Sequence, residues 1–378
     1  MILISGIGET PPLRRSGIDN RGMVLAACRD AIHDAGLEPG EIDAIVTDCA
    51  IMPVSVPQDF VASQLGAGTA FSGGMSMGGA GIVGAPILAR ALIDSGQARR
   101  VLCYFGVDWG TSPGGPYAFH DMYPAKTAFE KPCGFTAQPS YFAMLARRYA
   151  HEYGAPADFL APIATSSRAN ALRRGEGQAT RPLDIEAYRA SRMISDPLRA
   201  ADCCLISDGA GAYVMVGEAD AKRSRGGAVE ILGAGFGSEP VSAEAVFTQG
   251  DLLRTPGAGS AAGQALRQAG IAIGDVDFAE IYDCFTISCL LQLEDIGFCA
   301  KGEGHAFVRD GRIGIGGPLP VNTHGGLLAY SYRLGIEHVT EAVRQLRGAC
   351  GAAQVEGARI GLVGGYSPPD YSVMILGR

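Results

Sequence analysis

The chain has 378 residues, 47% of them hydrophobic and 19% charged, with a formal net charge of -8. That length suits one large or two fused α/β units with sizeable cores. The acidic balance and the scattered Lys and Arg residues argue against nucleic acid or an anionic membrane surface as a partner.

The chain opens on Met1-Ile2-Leu3-Ile4, which has neither the basic flank nor the apolar length of a signal peptide. No apolar run approaches bilayer length, so no membrane span is expected. Ten cysteines include the adjacent pair Cys203-Cys204 but no Cys-x-x-Cys. The expectation is a cytoplasmic protein with reduced, mostly buried thiols and no metal site.

Further along, Ala31 to Gly36 reads as the end of a helix stopped by glycine, and Ile42 to Val46 as a strand. Ala265 to Gly270, followed by Val276 to Ile281, repeats the unit. Gly36 and Gly270, like Asp43 and Asp277, stand 234 residues apart. A second helix and strand follow each copy: Ala85 to Ser95 with Arg100 to Phe105, and Glu337 to Leu346 with Arg359 to Val363. Two similar halves, at about 1–225 and 226–378, predict a layered α/β protein. An insert over about 109–195 interrupts the first half. Its first part is rich in aromatics (Tyr117, Phe119, Tyr123, Phe129, Phe135, Tyr141, Phe142) and too apolar for disorder. It reads equally well as a lid over an acyl group or as packing against a second subunit.

Five segments carry candidate chemistry. Gly79-Ala80-Gly81-Ile82-Val83-Gly84 opens a helix and matches Gly-x-Gly-x-x-Gly. Its mid-domain place and its lack of a second-half counterpart speak against a nicotinamide cofactor. The free amides of such a helix start suit an anion or a thioester oxygen instead. Ile281-Tyr282-Asp283-Cys284-Phe285 closes a strand whose first-half copy ends at Thr47, and strand ends carry sites in α/β sheets. Asn322-Thr323-His324-Gly325-Gly326 and Tyr330-Ser331-Tyr332-Arg333 lead into the last helix. Arg168, Arg173, Arg174 and Arg181 form the densest basic stretch. Arg173 and Arg174 are candidates for phosphate contacts; the other reading is a solvated helix face beside Glu176 and Glu186.

Together with Met77 to Gly81, the segments around Tyr282, His324 and Tyr332 resemble the thiolases of the sterol-carrier-protein type. The resemblance covers nearly the whole chain, including Asp196-Pro197-Leu198 and Ser207 to Ala212. In that family the Gly79 position is a nucleophilic cysteine, the Tyr282 position the histidine of His-Asp-Cys-Phe, and the Tyr332 position the histidine of Gly-His-Pro. The double replacement by tyrosine resembles the lipid-transfer-protein-type steroid side-chain aldolases, in which two tyrosines are the catalytic pair. The resemblance implies a thiolase fold, with duplicated halves packed as five α-β-α-β-α layers. It implies a coenzyme A thioester as substrate and no covalently bound cofactor. The implied reaction is retro-aldol cleavage of a branched or cyclic β-hydroxyacyl-CoA, as in steroid side-chain degradation, to a ketone or aldehyde and a shorter acyl-CoA. It also implies a homodimer and a hetero-oligomer with a small zinc-ribbon/OB-fold acyl-CoA-binding protein.

A retro-aldol needs a base for the β-hydroxyl, a trap for the enolate and an acid for the α-carbon, but no nucleophile. Tyr282 and Tyr332 would supply base and acid, in an order the sequence leaves open. Ionising a phenol at pH 7 costs about 4 kcal/mol unless the site lowers its pKa. Amides near Gly79 and the run Gly361, Gly364, Gly365 are expected to lower it and to hold the enolate. Gly79, Gly364, Gly365 and Asn322 are therefore candidate substrate contacts. His324 could tune or replace Tyr332, and Cys284 is either a support for Tyr282 or a small buried hydrophobe. Two rivals stay open: a divergent acetyl-CoA acyltransferase without the usual cysteine, and a non-catalytic acyl-CoA- or lipid-binding protein.

Overall fold

Glycine against alanine sets the closest helix–strand spacing, and does so twice. In β1 (Ile2–Glu9), a Cβ on Gly6 or Gly8 would fall 2.0 and 2.1 Å from the carbonyls of Ala31 and Ala27 in α1 (Asn20–Asp34). In β8 (Val229–Ser238), Gly233 and Gly235 meet the carbonyls of Ala265 and Ala261 in α8 (Ala258–Ala269) at 2.1 and 2.0 Å. Only a bare Cα lets the backbones approach this far. The repeat seen in sequence is thus a repeat in packing. Gly36 and Gly270 end the two helices at φ of +68° and +69°.

The computed structural model describes residues 1–47, 56–75, 78–113, 124, 126–135, 137–240 and 251–378. Among these, the first set of strands is completed by β2 (Ala44–Val46), β3 (Phe71–Gly73), β4 (Arg100–Asp108) and β7 (Asp208–Gly217). The second set adds β9 (Phe278–Ile281), β10 (Ile360–Ser367) and β11 (Asp370–Gly377) to β8. The order is β3-β2-β4-β7-β1-β8-β11-β10-β9, and β1 and β8 join the sets through Leu3–Glu230 and Ile4–Val229. β2 runs parallel to β3 and β4, and β9 to β10; the remaining pairs are antiparallel.

Further helices are α2 (Gln58–Leu65), α3 (Gly78–Asp94), α4 (Gln138–Tyr153), α5 (Ala161–Arg174), α6 (Ile185–Ala190) and α7 (Glu218–Ala221). After α8 come α9 (Thr286–Ile296), α10 (Gly304–Phe307), α11 (Gly326–Ala329) and α12 (Ile336–Arg347). α3 touches β4 and β7 on one side and β8, β10 and β11 on the other; α12 likewise touches strands of both sets. These two helices form the middle layer. Ile82, Val83, Val339 and Val343 share one buried core with Val101 and Phe105 of the first set and Phe278 and Val363 of the second. α1 covers the outer face of the first set, and α8 with α9 that of the second. The result is the five-layer α-β-α-β-α thiolase fold.

The insert is more regular than its composition suggested: α4, α5, α6 and the hairpin β5 (Met193–Ser195)–β6 (Leu198–Arg199) fill most of its described part. Met77, Tyr117, Phe119 and Tyr123 lie outside the described residues. No helix among the described residues is long and apolar enough to cross a membrane, and the described cysteines are all free thiols.

Candidate active site

Tyr282 is the first residue beyond β9. Gln292 Nε2, on α9, donates to its carbonyl at 2.6 Å. Tyr332 lies between α11 and α12, where its N–H donates to Ser207 Oγ at 2.8 Å. These anchors bring the two hydroxyls together at 2.9 Å, with the rings edge to face. The Tyr332 ring also rests on Trp109, just past β4, at 4.8 Å between centroids. The Tyr282 ring lies on Gly79 at the start of α3, and Tyr366, near the end of β10, closes it edge-on at 6.4 Å. The sequence-predicted pair and Gly79 are therefore one site.

Its electrostatics differ from expectation. Burial, then Tyr332 and Cys284, push the Tyr282 phenol well above its ordinary value. Burial, then Cys204 and Cys284, do the same to Tyr332. The glycine-run amides were expected to lower these phenols; burial raises them instead, because a buried phenolate has lost its water. Both tyrosines are neutral near pH 7. Each neutral hydroxyl is still donor and acceptor at once, so the pair can pass a proton along without forming a buried ion.

Other candidates hold different positions. Asn322 turns both ends of its amide to Ile281, accepting from its N–H at 2.7 Å and donating to its carbonyl at 2.9 Å. It pins the strand end before Tyr282 instead of facing a thioester. Gly364 makes room for the Tyr371 hydroxyl, and Gly365 for the backbone carbonyl of Gly79; both serve packing of β10. Cys284 is 8% exposed, its thiol 3.5 Å from Ser288 Oγ, and burial pushes it up to about 12. It is a buried thiol, not a thiolate. Arg174 is half-buried and ion-paired with the buried Glu341 at 3.4 Å and the exposed Glu176 at 3.1 Å, so its charge is already partnered; Arg173 is exposed on the same helix.

His324 is 1% exposed and faces Glu280, Nδ1 to Oε2 3.0 Å, with its ring against Tyr330 and His338. The expectation that it would tune Tyr332 gives way to a sealed polar cluster with Glu280 and His338. Thr323 donates to Glu280 Oε1 from N–H and hydroxyl, at 3.0 and 2.6 Å. His338 sits between Glu280 (3.6 Å) and Asp283 (3.4 Å). Burial pulls its pKa down, and the two carboxylates overturn that pull, lifting it to about 10. Glu280, His324 and His338 are also the described residues whose donor atoms, all within 4.8 Å, could share a metal ion. They supply three protein donors where a structural zinc takes four, and two of them, Glu280 and His338, already lie 3.6 Å apart as an ion pair.

Sequence reading passed over Trp109, Ser207, Glu280, His338 and Tyr366. Two of these left a trace: Glu280 shares the strand face of Tyr282 by period two, and Tyr366 stands near the end of the strand that follows the last helix. Phe142 of the insert stacks on Phe285 at 4.2 Å, which brings α4 beside the site.

Known proteins share this architecture. A family model described as thiolase C-terminal domain-like matches residues 238–378. The chain is 34% identical over 354 residues to a steroid side-chain-cleaving aldolase of Thermomonospora curvata, covering 91% of this chain and 90% of that protein. It is 33% identical over 354 residues to a 17-hydroxy-3-oxo-4-pregnene-20-carboxyl-CoA lyase of Mycobacterium tuberculosis, covering 91% of each. The solved structure of an Ltp2-ChsH2(DUF35) aldolase superposes with a TM-score of 0.91 at 34% identity, over 100% of this chain and 97% of that one.

Proposed function

This chain belongs to the thiolase superfamily, on the sterol-carrier-protein-type branch that holds the steroid side-chain-cleaving aldolases, and from that premise we propose that it cleaves a branched or cyclic β-hydroxyacyl-CoA by retro-aldol chemistry. The substrate class is a CoA thioester carrying a steroid or similar ring system, the chemistry named for its relatives. The products are a ketone or aldehyde and a shorter acyl-CoA. The observation that carries this reading is the 2.9 Å contact between two neutral phenols, Tyr282 buried and Tyr332 half-buried, at the start of α3.

The steps balance without a phenolate or a nucleophile. Tyr332 Oη takes the β-hydroxyl proton as the Cα–Cβ bond breaks and in the same step gives its own proton to Tyr282. The Tyr282 proton goes to the α-carbon, where the pair of the broken bond, enolate-like as it develops, becomes the new C–H bond. Tyr282 is assigned the α-carbon because it lies on Gly79, where amides at the helix start would hold the thioester oxygen. Acyl transfer lacks support: Gly79 carries no side chain, and Cys284 is protonated.

Assembly is part of the same reading. Among the described residues β3 ends the sheet with β2 as its one neighbour, an edge suited to a second copy. A separate zinc-ribbon/OB-fold acyl-CoA-binding protein is the proposed hetero-partner; the similar Ltp2-ChsH2(DUF35) aldolase likewise carries two components in its name. A cytoplasmic setting accords with the free thiols.

The deciding experiment offers a β-hydroxyacyl-CoA of a 17-hydroxysteroid and follows products by mass spectrometry. A carbonyl compound and a shorter acyl-CoA should appear with no free CoA consumed. A chain that leaves this substrate intact but splits a β-ketoacyl-CoA at the expense of free CoA would be assigned to thiolysis instead.

A further inference from the structure

Gly79 and Tyr282 compete for one volume. A Cβ on Gly79 would lie 2.7 Å from both Cδ2 and Cε2 of Tyr282, and 3.0 Å from the backbone carbonyl of Tyr366. Real Cβ atoms do not come that close, so one of the neighbours would have to give way. The β10 carbonyl is fixed by its ladder. The Tyr282 ring is 5% exposed, tethered at its hydroxyl by Tyr332 and at its backbone by Gln292. Gly335 borders the same edge of the ring: a Cβ there would sit 3.2 Å from Cδ2. Two glycines line the ring, and the one at the helix start admits no side chain beside it.

We propose that Gly79 is a specificity-determining residue: its bare Cα seats the Tyr282 ring, so this site can hold a side chain at 79 or a tyrosine at 282, but not both. The inference rests on the aldolase reading for its chemical meaning. A nucleophilic side chain at 79 would offer covalent acyl transfer; the tyrosine offers proton relay. The two chemistries exclude one another sterically, before any question of reactivity. Restoring a thiol at 79 alone would remove aldol cleavage by displacing the phenol, rather than add a second activity.

The test is a double-mutant cycle with two independent readouts. Gly79→Ala, Tyr282→Ala and the double variant are compared by thermal melting, a readout that needs no substrate. Gly79→Ala should lower Tm by at least about 3 °C in the tyrosine background and by less than about 1 °C in the Tyr282→Ala background. With a β-hydroxyacyl-CoA substrate, Gly79→Ala and Gly79→Cys should each lower kcat about 100-fold or more, with KM within about threefold. Equal Tm losses in the two backgrounds, or a Gly79→Cys enzyme that turns over at the wild-type rate, would overturn the proposal. If the wild type cleaves no β-hydroxyacyl-CoA, the aldolase reading fails on its own, and the melting cycle still decides whether positions 79 and 282 exclude each other.

Discussion

A tyrosine is an unusual acid–base group because it is neutral across the physiological range, and burial makes it more so. Tyr282 and Tyr332 meet hydroxyl to hydroxyl inside the protein, with both pKa values pushed up. A mechanism through free phenolate would work against that desolvation; a relay through two neutral hydroxyls does not. Two outcomes follow from the sign of the shifts. Removing either hydroxyl, as Tyr282→Phe or Tyr332→Phe, should lower kcat by about 10²–10⁴-fold while the fold stays intact by circular dichroism. The wild-type kcat should be flat from about pH 6 to 9, since neither phenol changes charge there. A tenfold rise per pH unit across that range would mean that one tyrosine acts as a pre-formed phenolate.

At the scale of elements, the site is held by what lies under it. β9, the Asn322 loop, α11 and α12 are tied by Asn322 to Ile281, by Leu327 N–H to Asp283 at 2.8 Å, and by His338 between Glu280 and Asp283. Arg333, fully buried next to Tyr332, carries the ties on to Glu9 of β1. Breaking a buried charge pair is costly because the partner is left uncompensated. His338 gives this a pH signature. Its folded pKa of about 10 lies above the unfolded value of 6.5, so the folded state binds the extra proton between those values. The stabilisation is complete below pH 6.5 and drains away as pH rises through about 10. Thermal melts of the wild type should fall across that window. His338→Gln should melt lower at pH 6 and show a flatter slope; an unchanged slope would mean that His338 is neutral in the fold.

For the whole molecule, duplication explains where the site is. α3 comes from the first half, and β9, β10, α11 and α12 from the second; Gly79 meets Tyr282 because the two halves share one middle layer. Among the described residues β3 is the edge strand at the far end of the first set of strands. Light scattering on the purified chain should give twice the 39.2 kDa of a single copy. A single-copy mass at micromolar concentration would leave that edge to another kind of partner.

Much of this was legible in the residues themselves. The 234-residue repeat, the two helix-stopping glycines, the strand end before Tyr282 and the glycine at the helix start are local patterns, and backbone geometry reads local patterns directly. The tyrosine pair could be named because both members occupy motif positions. What could not be read was every property that depends on neighbours from distant parts of the chain. Asn322 and Gly364 belong to the right segments, yet one serves Ile281 and the other Tyr371. His324 turned out to be sealed beside Glu280. Charge state followed the same rule: desolvation of the phenols is set by what surrounds them in space, and spacing along a chain carries no record of it. The sequence determined which groups were present and near which strand ends; packing alone decided that they touch, that they stay neutral, and that no side chain fits beside them.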